Sequence, residues 1–185
     1  MNGLLLSGGR SRRMGTPKGR LKLHGKTLIE HGVDALSQVC DTVAVVLGAH
    51  YQQLAPHVPP EARIVEAKHW HLGMRESLRV GLRHLPDGHV IVNHVDRPGV
   101  SGNTIEALTQ LPISATTVPI YQGKAGHPVV IPSWLRPVIE AEDTRSLREI
   151  LGQSKVRKIC VDDPRVTINL NNRSDWHRFL WQFRQ

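Results

Sequence analysis

The sequence predicts an α/β protein: one domain of three α/β/α layers around a mainly parallel sheet. Three observations carry that expectation. The chain has 185 residues, the size of one ordinary domain and one core. Short apolar runs of strand length alternate with stretches of helical periodicity, the pattern of a parallel sheet covered on both faces. The first apolar run, Asn2 to Ser7, ends in Gly8-Gly9, as a buried strand does where it enters a loop at the mouth of such a sheet.

The elements follow in order. After the glycine loop, Leu28, Val33, Ala35, Leu36 and Val39 mark a helix, with Thr27 and Glu30 at its start in capping-box spacing. Thr42 to Leu47 and Arg63 to Val65 read as strands, Met74 to Leu85 as a helix, and Val90 to Val95 as the next strand. A helix near Asn103 to Leu111 precedes strands at Ala115 to Pro119 and Val129 to Ile131. A helical stretch near Arg145 to Leu151, strands at Val156 to Val161 and Val166 to Leu170, and a final helix from about Ser174 complete the chain. Pro56, Pro59 and Pro60 mark a surface loop, and neither repeat nor linker divides residues 1–185. In a sheet of this kind ligands gather at the carboxyl ends of the strands.

Composition excludes several functions. No apolar run approaches the roughly 20 residues of a membrane helix, so no membrane partner is expected. Cys40 and Cys160 stand 120 positions apart, form neither a metal spacing nor a disulfide framework, and read as core thiols of a protein in a reducing, cytoplasmic compartment. The net charge of +8 is concentrated: residues 1–29 hold seven basic side chains and no acid, and the remainder has 17 basic against 16 acidic. A nucleic-acid binder spreads its basic residues along a stripe, whereas this crowding suits a compact polyanion such as a nucleoside triphosphate.

The basic residues cluster where the glycines are, in Leu6-Ser7-Gly8-Gly9-Arg10-Ser11-Arg12-Arg13-Met14-Gly15-Thr16-Pro17-Lys18. Adjacent glycines bring backbone N–H groups close to phosphate oxygens, and Arg and Lys neutralise them. The stretch is neither a P-loop nor the G-x-G-x-x-G dinucleotide fingerprint. A solvated basic loop would carry the same charge, so the rest of the chain has to decide. His69-x-His71 and His94 lack further ligands at zinc spacing.

Five segments, in order, then resemble one family, the nucleotidyltransferases that load molybdopterin with a nucleotide. Leu6 to Lys18 resembles the signature loop. Trp70-His71-Leu72-Gly73-Met74 with Ser77-Leu78 and Gly81-Leu82 is similar to a segment of the cytidylyltransferase branch. Asp96-Arg97-Pro98 resembles the D-x-P motif, and Gly126-His127-Pro128-Val129 and Ile168-Asn169-Leu170-Asn171 before Asp175 resemble the late motifs. The resemblance implies a Rossmann-like nucleotidyltransferase fold of the glycosyltransferase-A type. It also implies transfer of a nucleoside monophosphate from CTP or GTP to a small phosphorylated acceptor such as molybdopterin, with release of pyrophosphate and a molybdoenzyme as downstream partner.

By the same resemblance Leu6, Ser7, Gly8, Gly9, Arg10 and Ser11 cradle the nucleotide, and Arg13 and Lys18 hold its phosphates. Gly73 and Ser77 approach base and ribose, and Asp96 binds Mg²⁺ with an amide oxygen from Asn171, or else Asn169. His127 meets the acceptor. Mg²⁺ asks for few protein oxygens when phosphates supply the others, so one carboxylate suffices. Without the resemblance, Ser77 reads more readily as a surface hydroxyl beside a core stripe of Met74, Leu78 and Leu82, and His127 equally as a loop-ordering residue. Ser7-Gly8-Gly9 and Ile168 to Asn171 lean to guanine and the longer Trp70 segment to cytosine, which gives CTP a slight preference. A non-catalytic relative that hands on a cofactor is the other class, and the joint presence of Arg13, Lys18 and Asp96 argues against it.

Overall fold

A computed structural model describes residues 1–110, 112–141, 149–151 and 154–183. Its centre is β1 (Asn2–Ser7), all six residues of which are buried, flanked in parallel by β4 (Thr42–Leu47) and β6 (Val90–His94). β5 (Arg63–Glu66) pairs in parallel with β4 at one end. On the other side of β6 lie the antiparallel β9 (Val129–Ile131), then β7 (Thr116–Tyr121), then β10 (Val156–Cys160) parallel to β7, giving the order β10-β7-β9-β6-β1-β4-β5. β8 (Lys124–Ala125) pairs with β7, and β2 (Lys22–Leu23) with β3 (Lys26–Thr27) forms a separate two-stranded ribbon. The mainly parallel α/β architecture is as expected.

The layers follow from the period-two alternation of strand side chains. Leu5, Val43, Val45 and Leu47 face one side and join the core beneath α1 (Leu28–Ser37), α4 (Gly102–Thr109) and the C-terminal helix (Arg173–Gln182). Leu4, Leu6, Ala44 and Val46 face the other and join the core beneath α3 (Met74–Arg83) and α5 (Arg136–Glu140). α1 starts where the sequence places it: Thr27 Oγ1 accepts from the Glu30 amide at 3.2 Å and Glu30 Oε2 accepts from the Thr27 amide at 2.6 Å. Those bonds hold the Glu30 carboxyl below its ordinary range. Asn172 and Asp175 form a second capping box on the C-terminal helix.

Several expectations are corrected. Val166 to Leu170 is no strand: Pro164–Thr167 form a 3-10 turn, because Pro164 sets the first helical position and the Asp163 carboxylate accepts from the Arg165 amide at 3.1 Å. Val166 and Leu170 are buried all the same, which explains the strand-like pattern. Cys160 ends the strand β10 and is exposed, while Cys40 is half-buried and burial pushes its thiol up to about 12. Met74 is not core; it is 52% exposed at the start of α3, although Leu78 and Leu82 are buried as expected. Leu111 and residues 145–148 of the expected helical stretches lie outside the described residues, and 149–151 are helical.

Candidate active site

The carboxyl ends of β1 and β6 open into a cleft of about 400 Å³. Of the residues singled out in the sequence, Leu6, Ser7, Gly8, Gly9, Arg10, Ser11, Lys18, Gly73, Ser77 and Asp96 all line it. The glycine loop is pinned at both ends. Ser11 takes a positive φ of 51° and its carbonyl accepts from the amides of Met14 and Gly15. Met14 inserts into the core at 1% exposure, which leaves its neighbours Arg12 and Arg13 outside. Ser11 Oγ accepts from the Lys18 amide at 3.2 Å, drawing the far end of the loop back to the cleft.

The wall facing the loop comes from α3. Gly73 precedes that helix with φ 105°, a value that favours glycine. Ser77 is 5% exposed rather than a surface hydroxyl, and its Oγ lies so close to Gly8 that a Cβ there would stand 2.9 Å away. Gly48, just after β4, is tighter: a Cβ would meet the Gly8 carbonyl oxygen at 2.5 Å and Trp70 Cβ at 2.7 Å. The Arg10 guanidinium lies 4.7 Å from the Trp70 ring centroid, a cation–π contact that closes the outer edge. Trp70, His71, Met74 and His94 also line the cleft; the sequence places Met74 in a core stripe and gives the other three no role. The only signal for them was that three fall inside the Trp70 segment.

At the floor, Lys18 Nζ donates to Asp96 Oδ2 at 2.8 Å, with side chains 13% and 26% exposed. Asp96 follows β6 after Val95, and its carbonyl accepts from the Leu170 amide at 2.8 Å. That bond brings the late motif to the cleft. Arg13 Nη2 then reaches Asn171 Oδ1 at 3.4 Å, so these two pair with each other beside the cleft rather than within its lining. Asn169 Oδ1 is buried without a partner among the described residues. His127 stands apart from the cleft, its ring edge-to-face with His94 at 4.7 Å between centroids and 87°. Burial, then His94 and Arg97, pushes His127 down to about 3, and burial pushes His94 down to about 4, so both imidazoles are neutral at pH 7.

The set suits a divalent cation of the hard, oxygen-preferring kind. The Asp96 carboxylate and the Asn171 amide oxygen each already face a cationic side chain, so both lie in a position that receives positive charge. Among the described residues no group of three or more His, Cys, Asp or Glu side chains clusters as a metal cage.

The MobA-like NTP transferase domain matches residues 3–159, most of the chain. The chain belongs to that family. A MobA-like relative, the probable molybdenum cofactor guanylyltransferase of Rhodopirellula baltica, is 30% identical over 94% of this chain and 88% of its own length. Rv0371c of Mycobacterium tuberculosis superposes with a TM-score of 0.85 at 22% identity over 97% of both chains, and the same protein has been solved in complex with manganese. The molybdopterin-guanine dinucleotide biosynthesis protein A of Archaeoglobus fulgidus gives 0.74 at 22% identity over 96% of each chain. The MobA-like chain is accordingly a nucleotidyltransferase, and its fold is that of the family. No helix of the described residues is long and apolar enough to cross a membrane.

Proposed function

We propose that this MobA-like protein transfers GMP from GTP to the phosphate of a small acceptor, molybdopterin, with release of pyrophosphate and with Mg²⁺ as the metal. The observation that carries the reading is the meeting of Lys18 and Asp96 at 2.8 Å on the floor of a cleft walled by the glycine loop. Such a floor offers an ammonium to the phosphates and a carboxylate to the cation that accompanies them. For the base, the slight preference for CTP gives way to GTP. Gly8 abuts Ser77, so the two-glycine loop and the Trp70 segment build one wall, and neither outvotes the other. The 30% identical relative, which matches 94% of the chain, is named a guanylyltransferase, and this supports GTP.

In this reading the Gly8 and Gly9 amides and the Lys18 ammonium hold the triphosphate, and Arg13, beside Asn171, meets its outer charge. An acceptor phosphate oxygen forms a bond to the α-phosphorus while the bond from that phosphorus to the β-bridging oxygen breaks, and pyrophosphate leaves. No protein nucleophile is needed, since transfers of this class depend on positioning and charge neutralisation. Asp96 and Asn171 would hold the metal, which would supply part of that neutralisation. The test is direct: thermal shift and competition between GTP and CTP with Mg²⁺, followed by incubation of the preferred nucleotide with molybdopterin and assay of pyrophosphate. GTP preference with pyrophosphate release is the expected result. CTP preference overturns the base, and binding of neither overturns the reading.

A further inference from the structure

One end of the sheet is β10, which pairs in unbroken register with β7 and, among the described residues, with no strand on its other side. The Val161 amide donates to the Ile120 carbonyl at 3.0 Å. By strand alternation the N–H and C=O groups of Arg157 and Ile159 therefore turn toward β7, and those of Val156, Lys158 and Cys160 turn outward. Ile159 and Tyr121 pack on the core beneath α1, which puts the side chains of Val156, Lys158 and Cys160 on the opposite face. That face is open at the edge: Val156 is 42% exposed, and Lys158 and Cys160 are exposed as well. Trp134, in the turn before α5, is 51% exposed, and its indole N–H donates at 3.1 Å to the Ser114 carbonyl. Ser114 lies two residues before Thr116, the partner of Val156, so this indole stands at the end of the sheet where β10 begins.

Cations on an edge strand commonly serve to keep further chains away, together with shortening, bulges or proline. β10 has neither bulge nor proline along its register, and it exposes Val156 at the end of the sheet that Trp134 marks. Such an edge can still pair, and its charge selects the occupant. Lys155, Arg157 and Lys158 are all exposed, and no acid occurs from Ser154 to Cys160. A second copy added antiparallel about a two-fold axis would set Lys158 opposite Lys158, Arg157 opposite Arg157, or one opposite the other, and like charges directly opposite are destabilising. An extended segment bearing Asp or Glu brings the opposite charge to the same positions. A phosphate backbone would also meet the cations, but it answers the outward N–H groups only, whereas a peptide answers both the N–H and the C=O groups.

We propose that β10 is a docking edge, on which an extended acidic segment of a partner protein adds as the next strand. Its carboxylates meet Lys155, Arg157 and Lys158, and its apolar side chains lie over Val156 toward Trp134. The strand order places this edge three positions from β6, away from the nucleotide cleft, so the proposal goes beyond the transfer reaction and does not depend on it.

The probe is a fluorescein-labelled peptide of alternating Glu and Val, titrated by fluorescence anisotropy against the full chain. It is compared with a Lys-Val peptide, with the Glu-Val peptide N-methylated at alternate residues, with labelled oligothymidylate, and with the variant Arg157→Glu/Lys158→Glu. Saturable binding of the Glu-Val peptide is expected. Binding should weaken by at least about tenfold on N-methylation, which removes ladder donors, and by as much in the double variant, which should prefer the Lys-Val peptide instead. The double variant should keep the parent's thermal shift with GTP and Mg²⁺, since neither residue lines the cleft. Absence of saturable Glu-Val binding to the parent would overturn the proposal. Equal binding of the N-methylated peptide would reduce the contact to adhesion between charges and overturn the added strand. Tighter binding of oligothymidylate than of the peptide would give the edge to nucleic acid, and a parent dimer in sedimentation that the double variant loses would give it to a second copy; either result overturns the proposal. Should the double variant fail to fold, the N-methylated peptide, which needs no variant, still decides.

Discussion

Acid should weaken this protein through His127, and the size of the effect can be worked out. In the unfolded chain an imidazole takes its proton near pH 6.5, whereas in the fold burial, His94 and Arg97 push His127 down to about 3. Between those values the unfolded state binds the extra proton and the folded state does not. The contribution is therefore complete above the unfolded value and declines as pH falls toward the folded one. From pH 7 to pH 5 the loss from this residue comes to about 2 kcal/mol, and it changes little if the folded value is moved by one unit, because pH 5 stays above it. His127→Leu removes that titration. Urea unfolding of parent and variant at both pH values isolates it as a difference of differences, in which any pH-independent cost of the substitution cancels. The parent should lose about 2 kcal/mol more than the variant. Parallel losses would refute the argument and mean that water reaches the His127 ring freely.

Four further substitutions probe the cleft and the frame. Lys18→Ala should weaken GTP binding by at least about tenfold while moving the ligand-free melting temperature by no more than about 3 °C, since the Lys18–Asp96 pair lies at the cleft and not in the core; calorimetric titration and a melting curve check both halves. Asp96→Asn should abolish metal-dependent pyrophosphate release in a protein with unchanged circular dichroism, and retained turnover would remove Asp96 from the site. Thr27→Ala breaks the α1 capping box and should cost about 1 kcal/mol without altering nucleotide affinity. Gly48→Ala would push a methyl against the Gly8 carbonyl and Trp70, so nucleotide affinity should fall, and normal affinity would show that the glycine loop moves aside at no cost.

Much of this was legible in the sequence, for identifiable reasons. β1 and β4 are continuous apolar runs because both faces are covered, and the α1 capping box is a local matter of four residues. Asp96 at the end of β6 follows from strand length alone. Less legible were places where distant segments set the geometry. Val166 and Leu170 alternate like strand residues, but Pro164 and the Asp163 side chain claim the backbone between them. Arg13 and Asn171 are 158 positions apart, and the Leu170–Asp96 backbone bond, with the bond that Arg173 Nε donates to the Met14 carbonyl, brings them together. Met14 looks like an odd apolar residue in a basic loop until the core pocket that receives it is seen. His94 breaks an apolar strand, and its partner His127 comes from a different part of the chain.

The three-residue strand β9 has a consequence for how the protein is made. It runs antiparallel between two blocks, pairing Val90, Ile91 and Val92 on one side and Thr117 on the other. A chain synthesised from its N-terminus completes the block β6-β1-β4-β5 once His94 has left the ribosome, and the cleft's loop and α3 wall come with it. β7 emerges next with no neighbour to accept it, because the strand that joins it to β6 is still unmade. Throughout that interval the buried-type strand β6 presents a bare hydrogen-bonding edge to whatever is nearby, including another nascent copy. Val129 to Ile131 therefore act as the closing stitch, and truncations ending just before them should yield a chain that pairs with itself rather than a smaller soluble enzyme.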